Sequence, residues 1–164
     1  MPRTEYSTAW GIGGLAWNEQ GLTGVQLPGR PGNGPAVPLA GAPEWVRELV
    51  ARIQRHFGGE MQDFAEVPLD VSAVPVFAQR VYAAARAVKA GHTVTYGELA
   101  ARLGEGPDAS RAVGAALGNN PWPLIVPCHR ILGAGGRLTG FSAPGGVRTK
   151  TRLLALEGAQ LLAE

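Results

Sequence analysis

Residues 28–43, PGRPGNGPAVPLAGAP, constrain this chain more than any other stretch. Proline removes backbone donors and fixes φ, and glycine releases the chain, so no helix or strand can run through this segment. It must be a loop, and it divides two kinds of pattern. Before it, Leu15, Ala16 and Trp17, then Leu22 to Leu27, form short apolar or alternating runs. Gly13-Gly14, Asn18 and Gly21 punctuate them, so residues 5–28 read as strands and turns. After it, Trp45, Val46, Leu49, Val50, Ile53 and Phe57 recur at three- and four-residue steps, and Gly58-Gly59 ends them: a helix. Residues 62–70 read as an extended segment closing at Pro68.

From Val71 onward the helical period dominates. A helix from about Pro75 to Lys89 carries Phe77, Val81, Tyr82, Ala85 and Val88 on one face. Thr95-Tyr96-Gly97-Glu98 is a capping-box pattern that starts a helix ending at Gly104. The turn GEGPD then leads to a second short helix, SRAVGAALG, with Asp108 or Ser110 expected as its cap. Two short helices joined by a glycine-containing turn form a helix-turn-helix candidate. PWPLIVPCHRIL reads as a buried-strand-like run broken by prolines, and GAGGRLTGF as a hairpin-like excursion. A last helix spans about Arg148 to Leu156 and closes at Glu157-Gly158. The expected fold is α/β (α+β). A small β-rich N-terminal domain with one packed helix, residues 1–70, precedes a mostly helical domain, residues 71–164, that contains the helix-turn-helix.

Charge is unevenly shared. Residues 1–70 hold five basic and eight acidic groups, a net of −3, and residues 71–164 hold ten and five, a net of +5. A basic C-terminal half points to a polyanionic partner; an uneven spread by chance is the plain alternative. No apolar run reaches the ~18–20 residues a membrane span needs. The N-terminus lacks the apolar core of a secretory signal, so a cytoplasmic protein without a membrane partner is expected. One cysteine excludes an internal disulfide and a multi-cysteine zinc site. His56, His92 and His129 are widely separated and show no metal-ligand spacing.

That cysteine, Cys128, lies between Pro127 and His129. A thiol attacks as thiolate, and a neighbouring imidazole is the usual activator. Adjacent side chains on an extended segment point to opposite faces, however. Local chemistry therefore leaves two readings open, a small buried hydrophobe or a nucleophile.

The segment Ile125-Val126-Pro127-Cys128-His129-Arg130 resembles the active-site signature of the O6-alkylguanine-DNA alkyltransferases, or methylated-DNA–protein-cysteine methyltransferases. Thr93–Ala100, Arg111–Gly114, Asn120–Pro123, Thr139–Phe141 and Leu153–Gly158 follow the family's order and approximate spacing. The likeness covers residues 68–158. It implies single-turnover DNA repair, in which an alkyl group passes irreversibly from O6 of guanine, and from O4 of thymine, to Cys128. It implies a monomer that needs no cofactor or metal and whose partner is duplex DNA bound in the minor groove. His129 would be the base, acting through a water, with Glu157 orienting it. Asn120 would brace the turn before the active-site strand. Arg111 would fill the place of the flipped base, and Tyr96 would hydrogen-bond to guanine. The small face of Ala112, Gly114 and Ala115 would sit in the groove, with Arg130 also counted at the DNA surface. Tyr96, Val126, Pro127, Phe141 and Ser142 would form the pocket, the last two in its lid.

Two departures from the family pattern stand out. The lid segment Ser-Ala-Pro-Gly-Gly is longer than the shortest versions and follows a phenylalanine where tyrosine is common. The turn between Tyr96 and Arg111 is about one residue longer. Four other functions compete. An alkyltransferase-like lesion binder lacks the cysteine that this chain has. A helix-turn-helix regulator would not need Pro-Cys-His-Arg with a distant glutamate. A cysteine hydrolase would need an oxyanion hole that nothing marks, and a fused transcriptional activator would need a cysteine-rich extension.

Overall fold

The computed structural model describes residues 2–30, 32–138 and 146–159. Three strands, β1 (Arg3–Thr8), β2 (Gly11–Asn18) and β3 (Gly21–Gln26), form an antiparallel sheet in the order β1-β2-β3. Gly21 has φ +147°, and a Cβ there would come within 2.5 Å of the Pro68 carbonyl, so this turn requires glycine. Helix α1 (Glu44–Phe57) follows the proline-rich loop and buries Val46, Leu49, Val50, Ile53 and Phe57. His56 is buried in the same apolar stripe. Its last turn closes where the Gly58 N–H donates to the Gln54 and Arg55 carbonyls.

The second half comprises α2 (Val76–Arg86), β4 (Val94–Thr95), α3 (Tyr96–Arg102), α4 (Ser110–Gly118), β5 (Ile131–Leu132) and α5 (Val147–Leu156). The capping box at Thr95 is fully formed. The Glu98 N–H donates to Thr95 Oγ1 at 3.0 Å, and the Thr95 N–H donates to Glu98 Oε1 at 2.8 Å. β4 and β5 pair in parallel, Val94 with Ile131 and Thr95 with Leu132. This short ladder places the start of α3 beside the chain that leaves Cys128.

Two local expectations are corrected. Neither Asp108 nor Ser110 caps α4: a 3-10 turn, Pro107–Ala109, runs directly into the helix, and Ala109 takes the cap position without a side-chain bond. The run 121–132 is a strand only at Ile131–Leu132. Leu124 adopts φ +78°, and the Val126 N–H folds back to the Trp122 carbonyl at 2.8 Å. Prolines cannot donate to a ladder, so this segment turns instead of pairing. The GAGGRLTGF stretch is described only to Leu138 and begins as a tight turn, with the Gly133 N–H donating to the Arg137 carbonyl at 2.7 Å.

One core joins the two halves, from Tyr6 and Leu22 through Ile53 and Val81 to Leu153. Polar links reinforce it. The Trp122 Nε1–H donates to the Leu22 carbonyl at 2.9 Å, and the Val25 N–H to the Pro121 carbonyl at 2.9 Å. The sheet thus braces the segment that carries Cys128. No helix among the described residues is long and apolar enough to cross a membrane.

Candidate active site

Cys128 is presented by two consecutive tight turns. Its N–H donates to the Val126 carbonyl at 2.8 Å, and Pro127, at φ −81° and ψ 67°, is the centre of an inverse γ-turn. A 3-10 turn, Cys128–Arg130, follows at once, closed by the Arg130 N–H on the Pro127 carbonyl. Asn120 braces the approach: its Nδ2 donates to the Val126 carbonyl at 2.9 Å, and its Oδ1 accepts from the Trp122 N–H at 2.9 Å. Side chains that would alternate along a strand can share one side here. Val126 and Pro127 are both buried, and the Val126 carbonyl accepts the Asn120 and Cys128 bonds that shape the turn.

The thiol is half-buried, and burial pushes it above the ordinary cysteine value. The Asn120 side chain, the Lys150 charge and the N–H groups of Cys128 and His129 act in the opposite direction, favouring the thiolate. Lys150 lies on the buried face of α5, 1% exposed, with its ammonium on the Ile131 carbonyl at 2.8 Å. Sequence reading passed over this lysine, although its spacing from Leu153 and Leu154 places it on their inward face.

His129 is fully buried. Its Nε2 lies 3.0 Å from both Glu157 oxygens, so Nε2 carries the hydrogen and Nδ1 keeps its lone pair. Nδ1 has no hydrogen-bond partner among the described residues. Burial lowers the histidine's proton affinity, partly offset by Glu157, and the Arg130 charge lowers it further. The imidazole is therefore a neutral base at neutral pH.

Glu157 caps α5 and is the hub of the site. Arg130 grips it with two bonds, Nε to Oε1 and Nη2 to Oε2, each 2.8 Å. The His56 Nε2 meets Oε2 at 3.0 Å from 101 residues away in sequence. Burial raises the carboxyl's proton affinity, but the bonds from Arg130, His129 and His56 outweigh it and hold the group well below the usual carboxylate range. Gly91 allows this packing: with φ +88°, it lets the backbone pass so close that a Cβ would meet the Glu157 carbonyl at 3.2 Å. Two histidines and a glutamate resemble a metal triad, but the Nε2 of each histidine is hydrogen-bonded to the carboxylate that Arg130 already occupies. No group of three His, Cys, Asp or Glu among the described residues is arranged to hold a metal.

Arg130, expected at the DNA surface, is instead 6% exposed, with its remaining Nη1 on the Val88 carbonyl at 2.7 Å. A buried carboxylate needs a buried cation, and that demand overrides an exposed position. The other surface residues stay outside. Arg111, Ala112 and Ala115 are exposed along α4, and Gly114 is half-buried. A Cβ at Gly114 would touch the Tyr96 ring at 4.0 Å, so Tyr96 lies against α4 at the start of α3. Tyr82 supports α4 from beneath, donating its hydroxyl to the Ala116 carbonyl at 2.6 Å. Phe141 and Ser142 lie outside the described residues.

Residues 76–159 match the family described as 6-O-methylguanine DNA methyltransferase, DNA binding domain. A methylated-DNA–protein-cysteine methyltransferase of Mycobacterium tuberculosis (strain H37Rv) is 44% identical over 115 residues, 70% of this chain and 67% of that protein. One of Methanosarcina acetivorans is 42% identical over 119 residues, 71% of each chain. The crystal structure of Mycobacterium tuberculosis OGT in complex with DNA superposes with a TM-score of 0.80 at 34% identity, covering 96% of this chain and 93% of that one. The match takes in Cys128, His129 and Glu157 together with α3 and α4, and the chain belongs to the 6-O-methylguanine DNA methyltransferase family.

Proposed function

We propose that this protein repairs duplex DNA by moving an alkyl group from O6 of guanine to Cys128, once per molecule. The observation that carries this reading is the convergence on Cys128. Beside the chain's only thiol stands a buried neutral imidazole whose Nε2–H is anchored on Glu157 and whose Nδ1 is left as a base. The Cys128 proton passes through a bridging water to His129 Nδ1, and the imidazolium is stabilised by Glu157. The sulfur attacks the alkyl carbon, the S–C bond forms, and the C–O6 bond breaks with its electron pair going to guanine. The Tyr96 hydroxyl stabilises the departing base by hydrogen bonding to its ring nitrogen.

Guanine O6 is out of reach inside the stack, so the base must be extruded. Arg111 is exposed at the start of α4, where it can take the vacated place. The small residues Ala112, Gly114 and Ala115 let α4 approach the two strands of the minor groove closely. The basic half of the chain supplies the phosphate attraction that salt weakens. The thiol is not restored, so the protein is consumed as a reagent.

The test is stoichiometry. Duplex DNA containing O6-methylguanine, incubated with limiting protein and digested to nucleosides, is expected to yield one restored guanine per protein molecule and then stop. Repeated turnover would indicate a hydrolase; tight binding with no restored guanine would indicate a lesion binder.

A further inference from the structure

Helix α1 belongs to the sheet-bearing half, yet it sends His56 into the alkyl-transfer site. The ring is fully buried, packed edge-on to Phe57 and tilted against Phe64 at centroid separations of 6.4 and 5.5 Å. Both nitrogens are used. Nδ1 accepts the backbone N–H of Gln62 at 3.1 Å, and Nε2 faces Glu157 Oε2 at 3.0 Å. A nitrogen that accepts from an amide holds no hydrogen, so the ring is the neutral Nε2–H tautomer and donates to the carboxylate. We propose that His56 is a positioning residue for alkyl transfer: anchored at Nδ1 by the Gln62 N–H, it fixes the Glu157 carboxylate that orients His129. This inference rests on the reading of Cys128 as the alkyl acceptor.

Neutrality matters because of the charges already present. The groups facing His56 are Glu157 from the end of α5 and, across that carboxylate, His129 and Arg130 from the Cys128 turn. Arg130 already balances the carboxylate, and His129 becomes cationic when it takes the thiol proton. A charged His56 would oppose that proton transfer, whereas a neutral donor orients the carboxylate without adding to the positive charge.

The test uses the full chain and wild-type protein in parallel, with the single-turnover rate on O6-methylguanine duplex followed across pH. His56→Phe is expected to slow transfer about tenfold, the usual worth of a hydrogen bond to a charged group. With the Oε2 donor gone, more of the carboxylate's charge falls on His129, so the acid limb of the pH–rate profile is expected to move upward. His56→Gln, which retains an N–H donor, is expected to recover the rate to within about threefold and return the limb toward wild type. Equal rates and unmoved limbs in both variants, with wild type reactive, would overturn the role. So would two equally slow variants with an unmoved limb, which would mark His56 as packing alone. An unreactive wild type would instead remove the alkyl-transfer reading itself. Ring nitrogen NMR of wild type needs no variant to fold: it is expected to show His56 neutral with the hydrogen on Nε2, and an imidazolium or the Nδ1–H tautomer would refute the proposal.

Discussion

Glu157 and the outer face of α4 belong to the same half of the chain but answer to different demands. Around Glu157, charge is buried, with Oε1 held by His129 and Arg130 and Oε2 held by both of these and His56. Along α4, Arg111, Ala112 and Ala115 face outward, and smallness is the dominant property. Under the proposed function the first region works by being fixed, because a base must point one way before substrate arrives. The second gains function from being open, because its partner lies outside the protein. Mutations in the two regions should therefore fail differently: in the cluster through chemistry and stability together, on the helix face through delivery of DNA alone.

The sharpest separation comes from the thiol. Cys128→Ser should reduce transfer on the order of a thousandfold or more, since a hydroxyl is a far weaker nucleophile than a thiolate. Binding to lesion-containing duplex should survive, as read by gel shift. A binding loss as large as the transfer loss would merge the two regions into one.

Glu157→Ala should come next. It leaves Arg130, His129 and His56 buried around an empty carboxylate position, which is expected to cost about 3–5 kcal/mol of folding free energy in urea denaturation. A loss within ~0.5 kcal/mol, the range of ordinary surface substitutions, would mean that the cluster is not structural.

On the helix face, Arg111→Ala should slow repair of duplex DNA about tenfold, because base extrusion costs a few kcal/mol and loses its support. Reaction with free O6-benzylguanine should be unchanged. Equal losses on both substrates would take Arg111 out of base extrusion.

The pH dependence of stability is a smaller effect and belongs to the cluster alone. His129 titrates lower in the folded protein than when unfolded, so the unfolded chain binds the proton first. Stability should then fall as pH drops through about 6.5, the unfolded histidine value. Glu157 is likewise held low, so its contribution is full above about pH 4.3 and is lost on further acidification. Denaturation midpoints of wild type and His129→Gln, compared from neutral to acid pH, isolate the first step. A difference that stays constant through that window would contradict the buried neutral imidazole.

The same contrast explains what was legible in the sequence. The capping box at Thr95 and Glu98 and the apolar stripe of α1 are local, and residues three or four apart declare them. Cys128, His129 and the helix-end Glu157 could be picked out through family resemblance, because their motifs are contiguous. The partners of Glu157 were not legible in the same way. Arg130 follows Cys128-His129 and reads as one more basic residue, yet it turns inward to balance a charge that only the fold brings near. His56 comes from the other half of the chain, and its single trace is a histidine placed one turn after Ile53 among buried positions. The misreading of 121–132 as strand has a similar origin. Apolar composition matches a buried strand, but Leu124 at positive φ and the γ-turn at Pro127 are dictated by prolines and by contacts with β3. Under the proposed function, those turns would let Cys128 and His129 serve one site although they are adjacent in sequence.

In the proposed reaction the chain's only thiol keeps the alkyl group. Its most direct test is to incubate the full chain with O6-methylguanine duplex, digest it with protease and locate added mass by peptide sequencing. One methyl per molecule, confined to Cys128 and absent from Cys128→Ala, is the expected result. Restored guanine with an unmodified Cys128, or a methyl on any other residue, would contradict it.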